Sequence, residues 1–426
     1  MDFRDLLLGG EHHRIEDPVD PYLEASRLSI ADQTKPWIAP AKGFEGFFLA
    51  GNVLSTREAI ARSLGTTREG LPDVLIRGME RTLPMERTER PEGYSEVSVD
   101  SIPIPTYYST DGGPYVTSGI FHAGFGGKFN LSFHRMMYLG DGNFAVRIVP
   151  RHLNALLSEA GSSGEKLSAT VSMGTDPAAL LAGSITLPFG KDEMEVASSL
   201  LMNSGCGPMK VFSPVDDDMG SAAPVGSEVV LHGHFTGDRA SEGPFVDVTS
   251  TIDLSGMDPG EPVFKVEKAL VREGAVVHVL LPGGFEHYMM MGLPKEPSIL
   301  QSVRKVVPKV HAVRLTEGGC CWLHGVVSIT KQKEGDGKNA IMAAFSGHPS
   351  MKRVVVVDGD IDIFDDTQVE WAVSTRFQAD RDMVVIEGAR GSTLDPSAHT
   401  GDRTTAKLGI EACMPVGEKK RFQRVE

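Results

Sequence analysis

Three stretches of the chain set polar side chains suited to cation binding among apolar neighbours. Asn130 opens "NLSFHRMMYLG", His152 lies in "RIVPRHL", and Glu193 lies in "SITLPFGKDEMEVASSLL". An amide oxygen, an imidazole nitrogen and a carboxylate together suit a hard-to-borderline divalent cation. In an acidic chain such a cation could bridge the protein to a phosphate. The three are 22 and 41 residues apart, so only the fold can bring them together. Taken singly, Asn130 reads equally well as a turn or cap residue. His152 and Glu193 read as first-turn helix residues, where a Glu is favoured by the helix dipole.

A second group could move a proton. In "SEGPFVDV", Glu242 and Asp247 flank Gly243-Pro244-Phe245. Gly-Pro disfavours a regular strand or helix, so a bend is expected that presents two carboxylates beside a Phe. Arg135, in an otherwise apolar stretch, could reach Glu242. That pairing would lower the Glu242 pKa and leave the less paired carboxylate titrating higher. A solvated hairpin turn is the alternative.

Other patterns fail on their chemistry. "HAGFGGKFN" lacks the Walker spacing and a Ser/Thr after Lys128. "DGDIDIFDD" has Ile363 where a calcium loop needs Gly and Val369 where it needs its last Glu, so Asp358, Asp360 and Asp362 read as a strand end. "GDGKNA" reads as a turn and N-cap, with a phosphate site as the lesser alternative. No GxSxG or HExxH occurs.

The elements that must carry these residues follow from pattern. The 426 residues carry 41% hydrophobic and 23% charged side chains, enough for two or three soluble domains. A net charge of −15 argues against a nucleic-acid-coating protein. No apolar run is long enough to span a membrane, and the acidic start does not read as a signal peptide. Four cysteines without CxxC spacing suggest a reduced, cytoplasmic protein. "STREAIARSLG" predicts a helix with a Ser55–Glu58 capping box closed by Gly65. Residues from about 99 to 281 predict a β-rich domain with inserted helices at "PRHLNALLSEAG" and "KDEMEVASSLLMNSG", the latter capped by Asp192. Strands are expected at "EVVLHGHF", "VDVTSTIDL" and "AVVHVLLPGG". Beyond about residue 295, strands at "WLHGVVSIT", "KRVVVVDGDIDIF" and "DMVVIEG" alternate with helices, predicting a three-layer α/β unit with a mostly parallel sheet. The polar tail from Thr405 is expected to pack on a neighbouring domain or subunit.

Together these segments resemble the UbiD family of prenylated-FMN-dependent decarboxylases. "GFEGFFLAGN", "TSGI", "NLSFHRMMYLG", "RIVPRHL", "SITLPFGKDEMEVASSLL", "EGPFVD", "LLPGGFEHYMMMGLP", "VVVVDGDIDIFDDTQVEWAVSTRF" and "KLGIEA" carry the resemblance in the family's order. It implies an N-terminal α/β segment (1–98), a split-barrel flavin-binding domain (99–295) and a C-terminal α/β oligomerisation domain (296–426). It implies that Asn130, His152 and Glu193 hold a divalent ion, usually manganese, against the cofactor phosphate, with potassium beside it. Ser132 matches a position near that phosphate, and Arg151 adjoins the set as a further cofactor-binding residue. The family's Glu-Arg-Glu group falls on Glu242, Arg135 and Asp247, the last one methylene short. Arg135 is then expected to meet a substrate carboxylate bidentately, and Glu242 to deliver the proton. The implied reaction is reversible, non-oxidative decarboxylation of an unsaturated acid, with a flavin prenyltransferase as cofactor supplier and a homo-oligomer, dimer or hexamer, as the working form. The wording is nearest the short archaeal branch, which includes decarboxylases that make isopentenyl phosphate from trans-anhydromevalonate 5-phosphate. Arg151, His134 and His287 could then hold the substrate phosphate. An aromatic-acid decarboxylase and a non-catalytic flavin- or metal-binding subunit are the alternatives.

Overall fold

The computed structural model describes residues 2–215, 220–258 and 260–422. Its content is mixed α/β, and the chain divides into two compact units, residues 1–290 and 291–426.

The first unit is built on a nine-stranded sheet. Its strands are β1 (Tyr94–Val97), β2 (Tyr115–Val116), β3 (Ile120–Phe125), β4 (Lys128–Phe133), β5 (Met136–Gly140), β6 (Asn143–Val146), β7 (Ser168–Met173), β8 (Val229–Ala240) and β9 (Glu261–Arg272). The order is β2-β5-β6-β9-β8-β7-β3-β4, with β1 added on β9. Strand β4 ends the path at one side, while β5 is second from the other side. Only His134 and Arg135 separate them, and the connection can reach no more than roughly 10 Å at about 3.3–3.6 Å per residue. The sheet must therefore coil until its two ends face each other. The end strands β2 and β4 do not pair, so the sheet stays open. Phe121, Phe235 and Phe264 meet in its core, with ring centroids 5.2–6.3 Å apart.

The β3–β4 hairpin turns on Gly126 and Gly127, both with φ above zero (59° and 76°). A two-residue turn of that kind matches the natural twist of paired strands and needs glycine-like freedom at both positions. The "HAGFGGKFN" glycines thus serve a turn. Register places Asn130 opposite Ala123 and Ser132 opposite Phe121. Two inserted helices matter for the site: α1 (His152–Ser162) and α2 (Met194–Asn203).

The second unit holds a five-stranded sheet of β10 (Val310–Leu315), β11 (His324–Ile329), β12 (Arg353–Asp358), β13 (Met383–Arg390) and β14 (Thr404–Ala412), in the order β10-β11-β12-β14-β13. Helices α3 (Glu296–Arg304), α4 (Asp336–Gly347) and α5 (Asp366–Arg376) accompany it. Its central pairs, β11–β12 and β12–β14, are parallel, and both edge pairs are antiparallel.

Several local expectations are corrected. The helix Arg57–Ser63 is capped by Thr56, whose side chain accepts from the Ala59 N–H at 3.1 Å. Ser55 instead hydrogen-bonds the Asn52 carbonyl. "VDVTSTIDL" forms only a small hairpin of Phe245–Val246 with Ile252–Asp253. Strand β12 stops at Asp358, which with Asp360 pairs the buried Arg376. The first part of the tail belongs to its own unit: residues 404–412 are β14, inserted beside β12.

Candidate active site

The link between β4 and β5 is where the candidate residues gather. Asn130 and Ser132 share a face of β4, because side chains alternate along a strand. Arg135 sits in the two-residue break, anchored by its carbonyl accepting from the Arg147 N–H at 3.0 Å. Strand β4 is an edge, and its Leu131 N–H points away from β3. The Glu193 carboxylate takes that N–H at 2.8 Å and the Asn130 amide at 3.3 Å.

Glu193 is placed by the start of α2. The N-cap is Glu193 itself and not the expected Asp192, which lies one residue earlier, accepts from the Met194 N–H at 2.9 Å and holds His122 Nε2 at 3.1 Å. His122 Nδ1 accepts from the Ala222 N–H at 2.9 Å, so the ring proton lies on Nε2 and is donated to Asp192. The apolar face of α2, with Val196, Ala197 and Leu200 fully buried, locks the helix down.

His152, the first residue of α1, approaches from the other side, its Nδ1 3.7 Å from Glu193 Oε1. That is too long for a hydrogen bond. It is the separation expected of two ligands on one cation, since metal–ligand bonds of about 2.0–2.2 Å at open angles put ligand atoms roughly 3–3.7 Å apart. Burial pushes the Glu193 carboxyl up to about 7. Its backbone donors oppose that shift but do not cancel it. A buried acid whose Oε1, met by the Leu187 N–H at the long distance of 3.5 Å, faces an imidazole fits a cation chemically. Among the described residues no group of three or more His, Cys, Asp or Glu side chains is placed to hold a metal; the Asn130 amide, beside Glu193, is the group that could add a third donor.

Ser132 reports on the same point. Its hydroxyl lies 2.7 Å from Asn130 Oδ1 and 2.9 Å from His134 Nε2. His134 Nδ1 donates to the Arg147 carbonyl at 2.9 Å, and burial, helped by the charge of Arg151, pushes the ring down to about 4. His134 is therefore neutral with Nε2 an acceptor, and one hydroxyl proton faces two acceptors. A cation on Asn130 Oδ1 would release Ser132 to His134. Arg151 itself is exposed, makes no side-chain hydrogen bond or ion pair among the described residues, and lies near enough for its charge to act on His134. His134 is tied to Ser132 and the Arg147 carbonyl, and His287 feels the charges of Asp247 and Arg135.

Arg135 makes the second group. Its Nε and Nη2 meet the two Glu242 oxygens at 2.7 and 3.0 Å, Nη1 meets Asp247 at 2.8 Å, and Nη2 also meets Asp253 at 2.9 Å. The guanidinium lies 4.3 Å over the Phe245 ring. Four of its five N–H groups are thus used. The expected bidentate grip on a substrate carboxylate is not open, because the fork is already on Glu242. Asp253 was missed: in "VDVTSTIDL" it looks like an ordinary alternating strand residue, and only its pairing opposite Phe245 brings it to Arg135.

Glu242 has no exposed surface. Burial pushes its carboxyl above the usual range, outweighing Arg135. The expected downward shift is therefore reversed. The cause is desolvation, to which the charge of Glu261 adds, while Arg135 and Arg147 act the other way. For Asp253, hydrogen bonds from Ser255 and the charge of Arg135 overcome its burial, so it stays ionised more readily. The bend at Gly243-Pro244 is real but not solvated. A Cβ on Gly243 would land on the Gly112 Cα, and one on Gly256 would land on the Glu242 carboxyl.

Gly243→Ala is expected to cost about 1–3 kcal/mol, the usual range for overpacking, and to displace Glu242. Denaturant unfolding measures the first effect, and the Arg135–Glu242 distances in a crystal structure of the variant measure the second.

Comparison with known proteins agrees with this geometry. Three family models cover the chain in order. They are the N-terminal domain of 3-octaprenyl-4-hydroxybenzoate carboxy-lyase over residues 5–79, its Rift-related domain over 80–285, and its C-terminal domain over 288–412. Anhydromevalonate phosphate decarboxylase of Methanothermobacter thermautotrophicus is 44% identical over 423 residues, 98% of this chain and 97% of that one. The UbiD-class enzyme HmfF from Pelotomaculum thermopropionicum in complex with FMN superposes with a TM-score of 0.92 at 33% identity, covering 100% of this chain and 97% of that one. An evolved dimeric form of HmfF in complex with prFMN gives 0.88 at 31%, covering 100% and 96%. With a buried Glu-Arg pair on a coiled sheet and family models spanning nearly its whole length, the chain belongs to the UbiD family of carboxy-lyases.

Proposed function

We propose that this protein decarboxylates an α,β-unsaturated acid with the help of prenylated FMN. The substrate assigned is trans-anhydromevalonate 5-phosphate and the products are isopentenyl phosphate and CO2. The observation that carries the reading is Glu242: a carboxyl without exposed surface, pushed towards its protonated form, yet held on both oxygens by Arg135. The name of the Methanothermobacter relative supports the substrate, and the prFMN complex of HmfF supports the cofactor. The coiled, open nine-stranded sheet supports a split-barrel description of the flavin-binding part.

In the reaction the C1–C2 bond breaks, CO2 departs, its bonding pair stays on C2, and a proton joins that carbon. Prenylated FMN, when bound, supplies the electron sink that no side chain here provides. Glu242 supplies the proton. Arg135 holds the acid in place and stabilises the carboxylate that remains after transfer, so the acid can be recharged from solvent. Asp247 and Asp253 fix the guanidinium on its other side. Asn130, His152 and Glu193 would hold a divalent cation at the cofactor phosphate, manganese being the family's usual ion, with Ser132 beside it.

His152→Ala is expected to keep the fold but lose bound metal and flavin together. Elemental analysis, flavin absorbance and circular dichroism of the purified variant check this. A variant that retains both would remove His152 from the cofactor site.

Glu242→Gln is expected to retain cofactor and lose turnover by about 10²–10⁴-fold, the usual worth of a general acid. Asp247→Asn is expected to lose much less. CO2 release from the phosphorylated acid and deuterium uptake into the product, at matched cofactor loading, measure both. Because the folded Glu242 pKa is raised, protonated Glu242 is fully present at low pH and lost as pH rises through that value. Its contributions to turnover and to stability both decline in that direction. An Asp247→Asn variant that is dead beside an active Glu242→Gln would move the donor to Asp247.

A further inference from the structure

If the Arg135 fork is occupied, something else must meet the carboxylate that leaves as CO2. Three acids surround Arg135, and a fourth, Asp111, lies near enough for the Arg135 charge to act on it. An incoming carboxylate finds a single remaining guanidinium N–H in a strongly acidic setting. A second donor is needed.

His287 has the required properties. It lies in the helix Phe285–Gly292, in "LLPGGFEHYMMMGLP". Its Nδ1 accepts from the Gly283 N–H at 3.1 Å. The ring proton of the neutral form therefore sits on Nε2, which has no partner among the described residues. The ring is held below its ordinary pKa, by burial first and by the charge of Arg135, while Asp247 acts the other way. Gly283, which donates to the ring, packs against the backbone of Asp247, and that contact brings His287 to the loop carrying this ligand of Arg135.

The turn that carries His287 is held from several sides. Pro282 accepts from Tyr108 Oη at 2.8 Å, and the Phe285 N–H donates to Gln33 at 2.9 Å. Glu286 takes the Leu54 N–H at 2.8 Å and lies 3.0 Å from His278 Nε2. Gly283, at φ 71°, packs so closely on the 247–250 loop that a Cβ there would come within 2.6 Å of Ser250 Oγ. The turn that carries His287 is thus fixed at Pro282, Gly283, Phe285 and Glu286, with Gly283 against the 247–250 loop.

We infer that His287 is the neutral hydrogen-bond donor that receives the substrate's carboxylate, beside the one free N–H of Arg135. The inference rests on the decarboxylase reading above. A neutral donor suits a group that must lose its charge. A full arginine fork would stabilise the starting carboxylate more than the departing CO2 and so raise the barrier.

The test compares two ligands on cofactor-loaded protein by calorimetry. One is 3-methyl-5-phosphooxypentanoate, a saturated acid that cannot react. The other is isopentenyl phosphate, which lacks the carboxylate. His287→Phe is expected to weaken the acid about tenfold or more, the size of one hydrogen bond to a charged group. It should change isopentenyl phosphate less than about twofold, while KM for the reactive acid rises by about the same factor as the dissociation constant. His287→Gln, which keeps a neutral donor at similar reach, is expected to recover most of the loss. Equal weakening of both ligands, or of neither, overturns the inference. If His287→Phe does not fold, His287→Ala is put through the same comparison. Wild-type protein that releases no CO2 from the unsaturated phosphorylated acid sinks the substrate assignment, and the inference falls with it.

Discussion

One guanidinium shared by three carboxylates is the constraint on which the rest of the site depends. If Glu242, Asp247 and Asp253 were all ionised around Arg135, the cluster would carry two uncompensated negative charges in a largely buried place. Uncompensated buried charge is expensive, and proteins relieve it by shifting pKa values until one group is neutral. Relief falls on Glu242, which has no solvent at all, while Asp247 and Asp253 keep some exposure. The same pairing that looks like an ordinary ion pair is therefore set against a burial that favours the protonated form of Glu242. The glycines at 112, 243 and 256 are where the backbone must come close enough to seal it.

The coiled sheet explains why two chemically different groups sit so near in sequence. Asn130 and Ser132 belong to the last strand at one end of the path, and Arg135 to the link that crosses to the other end. Six residues thus serve both the Glu193–His152 corner and the Glu242 cluster. The edge N–H of Leu131, which an edge strand would otherwise leave open, is capped by Glu193. Strand termination and the candidate cation corner are one feature.

The sequence carried residue types more reliably than it carried their state. Asn130, His152 and Glu193 had suitable chemistry but no informative spacing, and the Leu131–Glu193 contact that joins β4 to α2 has no sequence signature. The Arg135–Glu242 pair could be anticipated from the Gly-Pro bend. The direction of the Glu242 pKa could not, because it depends on complete burial and on the charge of Glu261, which no local pattern brings to it. Strand β14 was hidden for a similar reason. Its alternating Thr, Lys and Glu suggested a surface tail, yet Lys407 and Glu411 are buried, Lys407 on the carbonyls of Pro349 and Met351 and Glu411 on Lys331. Long periodic helices such as α2 and α5, and the valine-rich β12, were legible because their burial follows from local pattern alone.

The central claim is that burial raises the pKa of Glu242 above the ordinary carboxyl range in spite of its arginine. Infrared difference spectroscopy of cofactor-loaded protein addresses it directly, since a protonated carboxyl has a C=O stretch distinct from that of a carboxylate. The account predicts a protonated-carboxyl band that persists to higher pH than an ordinary carboxyl allows, disappears in Glu242→Gln and remains in Asp247→Asn and Asp253→Asn. Absence of the band in the wild type, or its loss only when Asp247 is changed, would contradict the account.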